Sequence, residues 1–104
     1  MTVYVVSRVD IFDREAMLAY QRDAPPTVAR FGGRYLVRGG AVRALEGAWD
    51  HDRMVVVEFP DEAAALDWYH SAEYRPLRDL RQRSARAIIL LADGVAEEIG
   101  ADSG

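Results

Sequence analysis

The strongest constraint on the fold is the segment Arg53–Pro60, a run of apolar β-formers that ends at a proline. Side chains alternate between the two faces of a strand. The residues from Val55 to Phe59 that share a face are all apolar, whereas Val56 and Glu58 point to the opposite face. Because one face is fully apolar and the other mostly so, this segment is predicted to be a central strand that is covered on both sides.

Further strands are predicted on both sides of this segment. Thr2–Val9 and Ala87–Ala92 carry apolar residues toward both faces, and the first is expected to be a second central strand. Arg34–Arg38 has one polar face and is predicted to lie at an edge of the sheet. Ala41–Glu46 is expected to continue it as another strand, and Val95–Ile99 to add a short edge piece.

Two helical regions are predicted between the strands. The first begins at Asp13, a residue type that caps helices, and Pro25-Pro26 is expected to kink it or divide it into two pieces. The second begins at Asp61, and Ser71 is expected to cap a second helical piece within it. The residues of that piece that are predicted to share its inner side are Tyr74, Leu77, Leu80 and Ser84.

The element order is therefore β-α-β-β-α-β, the split βαβ pattern of a ferredoxin-like α+β fold with an antiparallel sheet. We expect one domain over residues 1–96, followed by a short tail at 97–104. In this topology both helices lie on one face of the sheet. The other face would be an exposed apolar patch, so a homodimer that packs two sheets face to face is predicted.

Composition excludes several classes of function. The chain has 104 residues with no cysteine, and all 13 basic residues are arginine against 17 acidic residues, a net charge of −4. Thiol chemistry and lysine Schiff bases are therefore excluded, and nucleic acid is a disfavoured partner. No apolar run is long enough to span a membrane, and we expect a cytoplasmic protein. Two distant histidines predict no metal site and no cofactor.

Several motifs occur in an order that resembles a known family. They are Phe31-Gly-Gly-Arg-Tyr-Leu-Val-Arg-Gly-Gly40, Leu45-Glu-Gly-Ala-Trp49, Val57-Glu-Phe-Pro60, Trp68-Tyr69 and Ser71-Ala-Glu-Tyr74. The chain resembles a family of small bacterial proteins of unknown function in the dimeric α+β barrel superfamily. The resemblance implies a ferredoxin-like protomer and a sheet-to-sheet dimer. It carries over no catalytic residue, and Ala72 stands where the family commonly has proline.

A cleft between sheet and helices is the predicted ligand site. The candidate residues are Tyr20, Tyr35, Arg38, Trp49, Tyr69 and Tyr74. Arg38 ends a strand beside two glycines, where it can bind an anion or instead form an ordinary ion pair with Glu46 or Glu58. Strand alternation predicts that Tyr35 and Val37 share one face and that Arg38 points to the other.

Two residues outside this set have open roles. His51 is interpreted as an exposed loop residue, with a general base or a haem ligand as the alternative. Glu58 lies on a strand with apolar neighbours and is expected to pair with an arginine.

Two functional hypotheses remain at this point. The first is a site for a small acidic or aromatic ligand, with cofactor-independent oxygenase or isomerase chemistry by analogy with the superfamily. The second is a non-catalytic dimeric module with a regulatory or stress-related role. The sequence does not decide whether the protein is an enzyme.

Overall fold

A computed structural model of the protein describes residues 1–95. The elements in chain order are β1 (Val3–Ile11), α1 (Arg14–Arg30), β2 (Arg34–Arg38), β3 (Arg53–Phe59), α2 (Glu62–Tyr69), α3 (Arg75–Ser84) and β4 (Ala85–Asp93). The strands form one antiparallel sheet in the order β2-β3-β1-β4. The predicted ferredoxin-like α+β fold is confirmed, and the second helical region is divided into α2 and α3. The predicted edge piece Val95–Ile99 lies outside the described residues except for Val95, which is in no strand.

One face of the sheet packs against the three helices. The alternation of β1 and β3 brings Val5 opposite Val57 and Val3 opposite Phe59, with all four side chains on the helix side. The residues of the helices and of the turn between α2 and α3 that complete this core are Ala24, Val28, Ala65, Trp68 and Tyr74. The Trp68 indole N–H donates to the Thr27 hydroxyl at 3.0 Å, so the one polar atom of this buried ring is paired.

The opposite face of the sheet, here called the open face, carries no helix of the described chain. It displays the alternate residues of the same strands, among them Val6, Val56 and Leu90, which face one another across β3, β1 and β4. Leu90 is 56% exposed and Ile88 is 43% exposed. An apolar strip across three strands therefore remains uncovered in the protomer.

Helix α1 runs without a break from Arg14 to Arg30, although it contains Pro25 and Pro26. Its first turn is capped as predicted, because the Asp13 carboxylate accepts from the backbone N–H of Ala16 at 3.1 Å. The prediction of two helical pieces is wrong. Pro25 has no N–H to donate to the carbonyl of Gln21 one turn earlier, and that carbonyl accepts from Arg38 Nη2 at 3.2 Å instead.

Strand β2 contains a bulge that overturns the predicted alternation. Tyr35 pairs with Val57 and Val37 pairs with Val56, so the pairing shifts at Leu36. The extra residue reverses the face of everything that follows it. Arg38 therefore shares the helix side of the sheet with Tyr35, and Val37 lies on the open face.

The predicted strand at Ala41–Glu46 is absent, because residues 39–52 form a long loop without strand structure. Gly39 and Gly47 within it have φ angles of +75° and +81°, outside the extended range. Leu45 is 98% exposed. Among residues 1–95 no segment pairs with the outer edge of β2, so Ala41–Glu46 adds no strand to the sheet.

Ser71 connects α2 and α3 in a way that the sequence did not predict. Helix α2 begins as expected, with the Asp61 carboxylate accepting from the N–H of Ala64 at 2.8 Å. The Ser71 hydroxyl donates to the Trp68 carbonyl at 2.8 Å and accepts from the N–H of Tyr74 at 3.1 Å. Ser71 thus holds the turn between the helices, and α3 starts after Tyr74 rather than at Ser71. Over residues 1–95, no helix combines the length and apolar character needed to cross a membrane.

Candidate functional site

A cavity of about 50 Å³ lies between the helix side of the sheet and helices α1 and α3. Its walls are apolar side chains of the strands, including Val5, Val55 and Val57. Its polar lining consists of Ser7, Tyr20, Gln21, Tyr35, Arg38, Arg53, Tyr74 and Arg81. This set contains three guanidinium groups, and no aspartate, glutamate or histidine belongs to the lining. The pocket is therefore positively charged.

Two tyrosines and an arginine form the inner end of the pocket. The hydroxyl groups of Tyr20 and Tyr74 share a hydrogen bond of 2.6 Å. Arg81 is only 5% exposed; burial lowers its pKa, but the adjacent phenols of Tyr74 and Tyr20 outweigh burial and leave the pKa raised. Its Nε and Nη2 atoms are closed off from solvent and have no hydrogen-bond partner among residues 1–95. Two donor atoms of this buried guanidinium therefore have no hydrogen-bond acceptor among residues 1–95.

The unpaired atoms of Arg81, Nε and Nη2, form the edge of the guanidinium that can bind both oxygens of a carboxylate. The same two atoms of Arg22 donate to the two oxygens of Asp23 at 2.8 and 2.9 Å on the surface of this protein. Such paired, charge-assisted hydrogen bonds are stronger than neutral ones. An anion bound at Arg81 would therefore supply the hydrogen-bond acceptors that Nε and Nη2 lack.

Two further arginines form the outer end of the pocket. The Arg38 guanidinium lies 5.0 Å from the centre of the Tyr35 ring, and its Nη2 is held by the Gln21 carbonyl that Pro25 leaves free. The Arg53 guanidinium lies against Gly39, where an added Cβ would approach Nη1 to 2.5 Å. Neither arginine forms a salt bridge with a residue of the described chain.

Tyr20 and Tyr35 remain neutral phenols near neutral pH. Burial, with the neighbouring Tyr74 phenol as a smaller cause, raises the pKa of Tyr20 well above its ordinary value. Burial also raises the pKa of Tyr35 to about 12, although Arg38 works in the opposite direction. Both phenols can therefore donate hydrogen bonds to a bound anion.

This shift gives a prediction for alkaline solution. An acid whose pKa is raised by folding stabilises the native state below its unfolded pKa, and that contribution is lost as the pH rises through the folded pKa. We expect the free energy of unfolding to fall as the pH rises from about 10 toward 12. Phenolate absorbance should show Tyr20 and Tyr35 ionising later than free tyrosine, and Tyr35→Phe should remove one late step. Ionisation of all five tyrosines at the free value would contradict the prediction.

The structure brings together four of the six predicted site residues. Tyr20, Tyr35, Arg38 and Tyr74 line the pocket. Trp49 does not, because it lies in the loop 39–52 with its ring 5.0 Å from that of His51. Tyr69 also lies elsewhere, in a groove of about 280 Å³ between α2 and β4, where the Arg78 guanidinium stacks on its ring at 5.0 Å.

Sequence reasoning missed Arg53 and Arg81. Arg81 follows Tyr74 by seven residues and Leu77 by four, which places it on the inner stripe of α3. An arginine on an apolar stripe was therefore a signal in the sequence. Arg53 lies two residues before Val55 on β3, so both side chains point to the helix side of the sheet.

Glu58 and His51 form polar pairs away from the pocket. Glu58 accepts from Arg34 at 2.7 Å, which confirms the predicted arginine partner. His51 Nδ1 lies 2.9 Å from an Asp10 carboxylate oxygen, and this hydrogen bond is the main cause that lowers the pKa of Asp10. Within residues 1–95, no group of three histidine, aspartate or glutamate side chains is placed to hold a metal ion.

The family is decided by comparison with known protein families. The model of a domain of unknown function, DUF1330, matches residues 2–95. The chain belongs to the DUF1330 family. This agrees with the resemblance that the ordered motifs indicated. Among proteins with curated descriptions, none is similar enough to count as a match for this DUF1330 chain.

Solved structures place the DUF1330 chain among ferredoxin-like proteins. A protein of unknown function from Rhodopseudomonas palustris is 22% identical, with 91% of this chain and 83% of that chain covered and a TM-score of 0.75. A mutant of SnoaB, a cofactor-independent oxygenase from Streptomyces nogalater, is 18% identical over 94% and 95%, with a TM-score of 0.67. A dimeric ferredoxin-like protein of unknown function from Jannaschia sp. CCS1 is 13% identical over 90% and 100%, with a TM-score of 0.64. At these identities the likeness shows the fold.

Proposed function

We propose that this protein binds a small organic carboxylate in the pocket between the sheet and helices α1 and α3. The observation that carries the proposal is Arg81, a guanidinium that is 5% exposed and whose Nε and Nη2 atoms lack partners among residues 1–95. A buried charge without partners is expensive, so a position like this favours a bound counter-ion. Tyr20 and Tyr74 beside it share one hydrogen bond, which leaves one O–H of the pair free to donate to the ligand.

The size of the pocket sets the size of the ligand. A cavity of about 50 Å³ has room for a short carboxylic acid. An aromatic acid would fit only after side chains at the outer end move, and Arg38 is exposed enough to do so. Because Nε and Nη2 of Arg81 are closed off from solvent, the ligand also requires a small shift at the inner end.

The chemistry of the lining favours binding over catalysis. A general base is usually a histidine or a carboxylate, and the lining contains neither. The similar fold of SnoaB, described as a cofactor-independent oxygenase, supports a cofactor-free reaction only by analogy of fold. We therefore place the non-catalytic binding module first and oxygenase or isomerase activity second.

Calorimetry and thermal unfolding with butyrate test the proposal, with butyramide as the uncharged control of the same shape. We expect butyrate to raise the melting temperature, since a ligand at about 100 times its dissociation constant adds about 2.7 kcal/mol of stability. Benzoate in parallel tests whether the outer end opens for an aromatic acid. Arg81→Met should abolish the response to butyrate.

The matched control is Arg78→Met, because Arg78 lies on the same helix outside the pocket. This variant should bind butyrate like the wild type. Equal responses to butyrate and butyramide, or undiminished binding by Arg81→Met, would overturn the proposal. Oxygen uptake or product formation with a quinol or another aromatic acid, lost in Arg81→Met, would move the oxygenase or isomerase hypothesis to first place.

We further propose that two copies of the chain pack through their open faces. Val6, Val56 and Leu90 form an apolar strip that no helix of the described residues covers. Burial of such a strip is worth about 25 cal/mol for each Å² removed from water. The structure from Jannaschia sp. CCS1, described as dimeric, has the same fold and supports the proposal of a dimer.

A further inference from the structure

We propose that the natural ligand is a dianion that carries one acidic group at each end of a short apolar segment, as in a short-chain dicarboxylate. This inference rests on the proposed carboxylate site and adds a second anchoring position to it. Arg81 would hold one acidic group at the inner end of the pocket. Arg38 and Arg53 would hold the other at the outer end.

The charge of the residues that line the pocket is not balanced. Three arginines line it, and none of its lining residues is acidic. The chain as a whole has 17 acidic and 13 basic residues. A cluster of three guanidinium groups without a carboxylate therefore runs against the overall charge of the protein. One bound carboxylate would neutralise only one of the three positive charges, whereas a dianion would neutralise two.

The three positive charges lie at two separate ends of the pocket. Arg81 belongs to α3, is buried, and adjoins the phenols of Tyr20 and Tyr74. Arg38 and Arg53 belong to the adjacent strands β2 and β3, and both are more accessible than Arg81. The Tyr35 ring lies beside the outer end, 5.0 Å from the Arg38 guanidinium.

The surface between the two ends of the pocket is mainly apolar. Val55, Val57 and Ile89 supply apolar wall in this part of the sheet, and the Tyr35 ring adds an aromatic face. Such a surface favours methylene groups and offers few partners to a polar ligand backbone. Acidic groups at both ends of a short hydrocarbon chain match this distribution of polar and apolar lining.

Calorimetric titration with succinate and butyrate tests the inference, because the two acids have the same number of carbons and differ by one carboxylate. We expect succinate to bind about tenfold more tightly or better, since it adds a charge-assisted contact. Arg38→Met combined with Arg53→Met should reduce the succinate-to-butyrate affinity ratio to about one, because neither outer guanidinium remains to bind the second carboxylate. Arg81→Met should abolish binding of both acids.

The outcomes separate this inference from the proposed function. Equal affinity for succinate and butyrate, with both lost in Arg81→Met, would overturn the dianion and retain the carboxylate site. Absence of binding by either acid would overturn both proposals. If the double variant fails to fold, the single variant Arg38→Met is decisive in its place, because Arg38 is exposed and lies at the surface. An unchanged succinate-to-butyrate ratio in that variant would overturn the assignment of the outer end.

Discussion

Val56→Asp is expected to convert the proposed dimer into a monomer of 11.6 kDa. Val56 lies in the middle of the open face, between Val6 of β1 and Val37 of β2. In a symmetric interface the substitution would place two carboxylates in an apolar contact. An uncompensated buried charge costs about 3–5 kcal/mol, which corresponds to a dissociation constant raised at least a hundredfold. Light scattering at micromolar concentration measures the change.

Leu18→Asp is the matched control for this substitution, because Leu18 is 64% exposed on helix α1, away from the open face. That variant should remain dimeric. A wild-type monomer, or a dimer that survives Val56→Asp, would show that the open face is not the interface. Binding of butyrate by the monomeric variant would in addition show that one protomer forms the complete pocket, since the pocket lies on the opposite side of the sheet.

Arg81→Met is expected to make the ligand-free protein more stable while it removes the ligand site. The guanidinium is buried, its Nε and Nη2 atoms lack partners among residues 1–95, and only the adjacent phenols of Tyr74 and Tyr20 offset its desolvation. Replacement of buried ionic groups by apolar ones of similar volume is often stabilising by about 1–4 kcal/mol. We expect a gain of about 1–3 kcal/mol in urea unfolding at a fixed protein concentration. Such an opposition between stability and binding is typical of functional sites.

Arg78→Met should have the opposite effect on stability. The Arg78 guanidinium donates to the Tyr69 carbonyl at 3.1 Å and stacks on the Tyr69 ring at 5.0 Å. Loss of these contacts is expected to cost about 0.5–1.5 kcal/mol. The two variants make the same chemical change three positions apart on α3, so their difference isolates the environment. A loss of stability in Arg81→Met would mean that the free protein already satisfies that guanidinium.

Most of the fold was predictable because local patterns and topology agree. The apolar residues of β1 and β3 mark the central strands, and Asp13 and Asp61 cap the two helices that were expected to start there. The failed predictions have separate origins. Ala41–Glu46 has the composition of a strand, but it lies between Gly39 and Gly47, which have positive φ angles, and it does not pair with the free edge of β2. Composition alone does not show whether a segment pairs with a neighbouring strand.

The candidate site was predictable only in part. Tyr20 and Tyr74 follow from helical spacing, and their inward direction did not depend on any distant contact. Trp49 was included because it lies in a polar loop, and a loop side chain has no periodicity from which its direction could be inferred. Arg81 was missed although its spacing on α3 marked it as inward-facing, because an arginine is ordinarily assigned to the surface.

The sequence by itself determined the order of strands and helices, the caps at Asp13 and Asp61, and the apolar character of both faces of the sheet. Each of these depends on side chains close together in the chain. Only the tertiary structure decided what Arg38 does. Pairing with β3 creates the bulge at Leu36, and the bulge turns Arg38 toward the helices. Pro25 frees the Gln21 carbonyl that receives it. The direction of this side chain depends on the register between two strands and on a carbonyl 17 residues away, and neither is present in any local pattern.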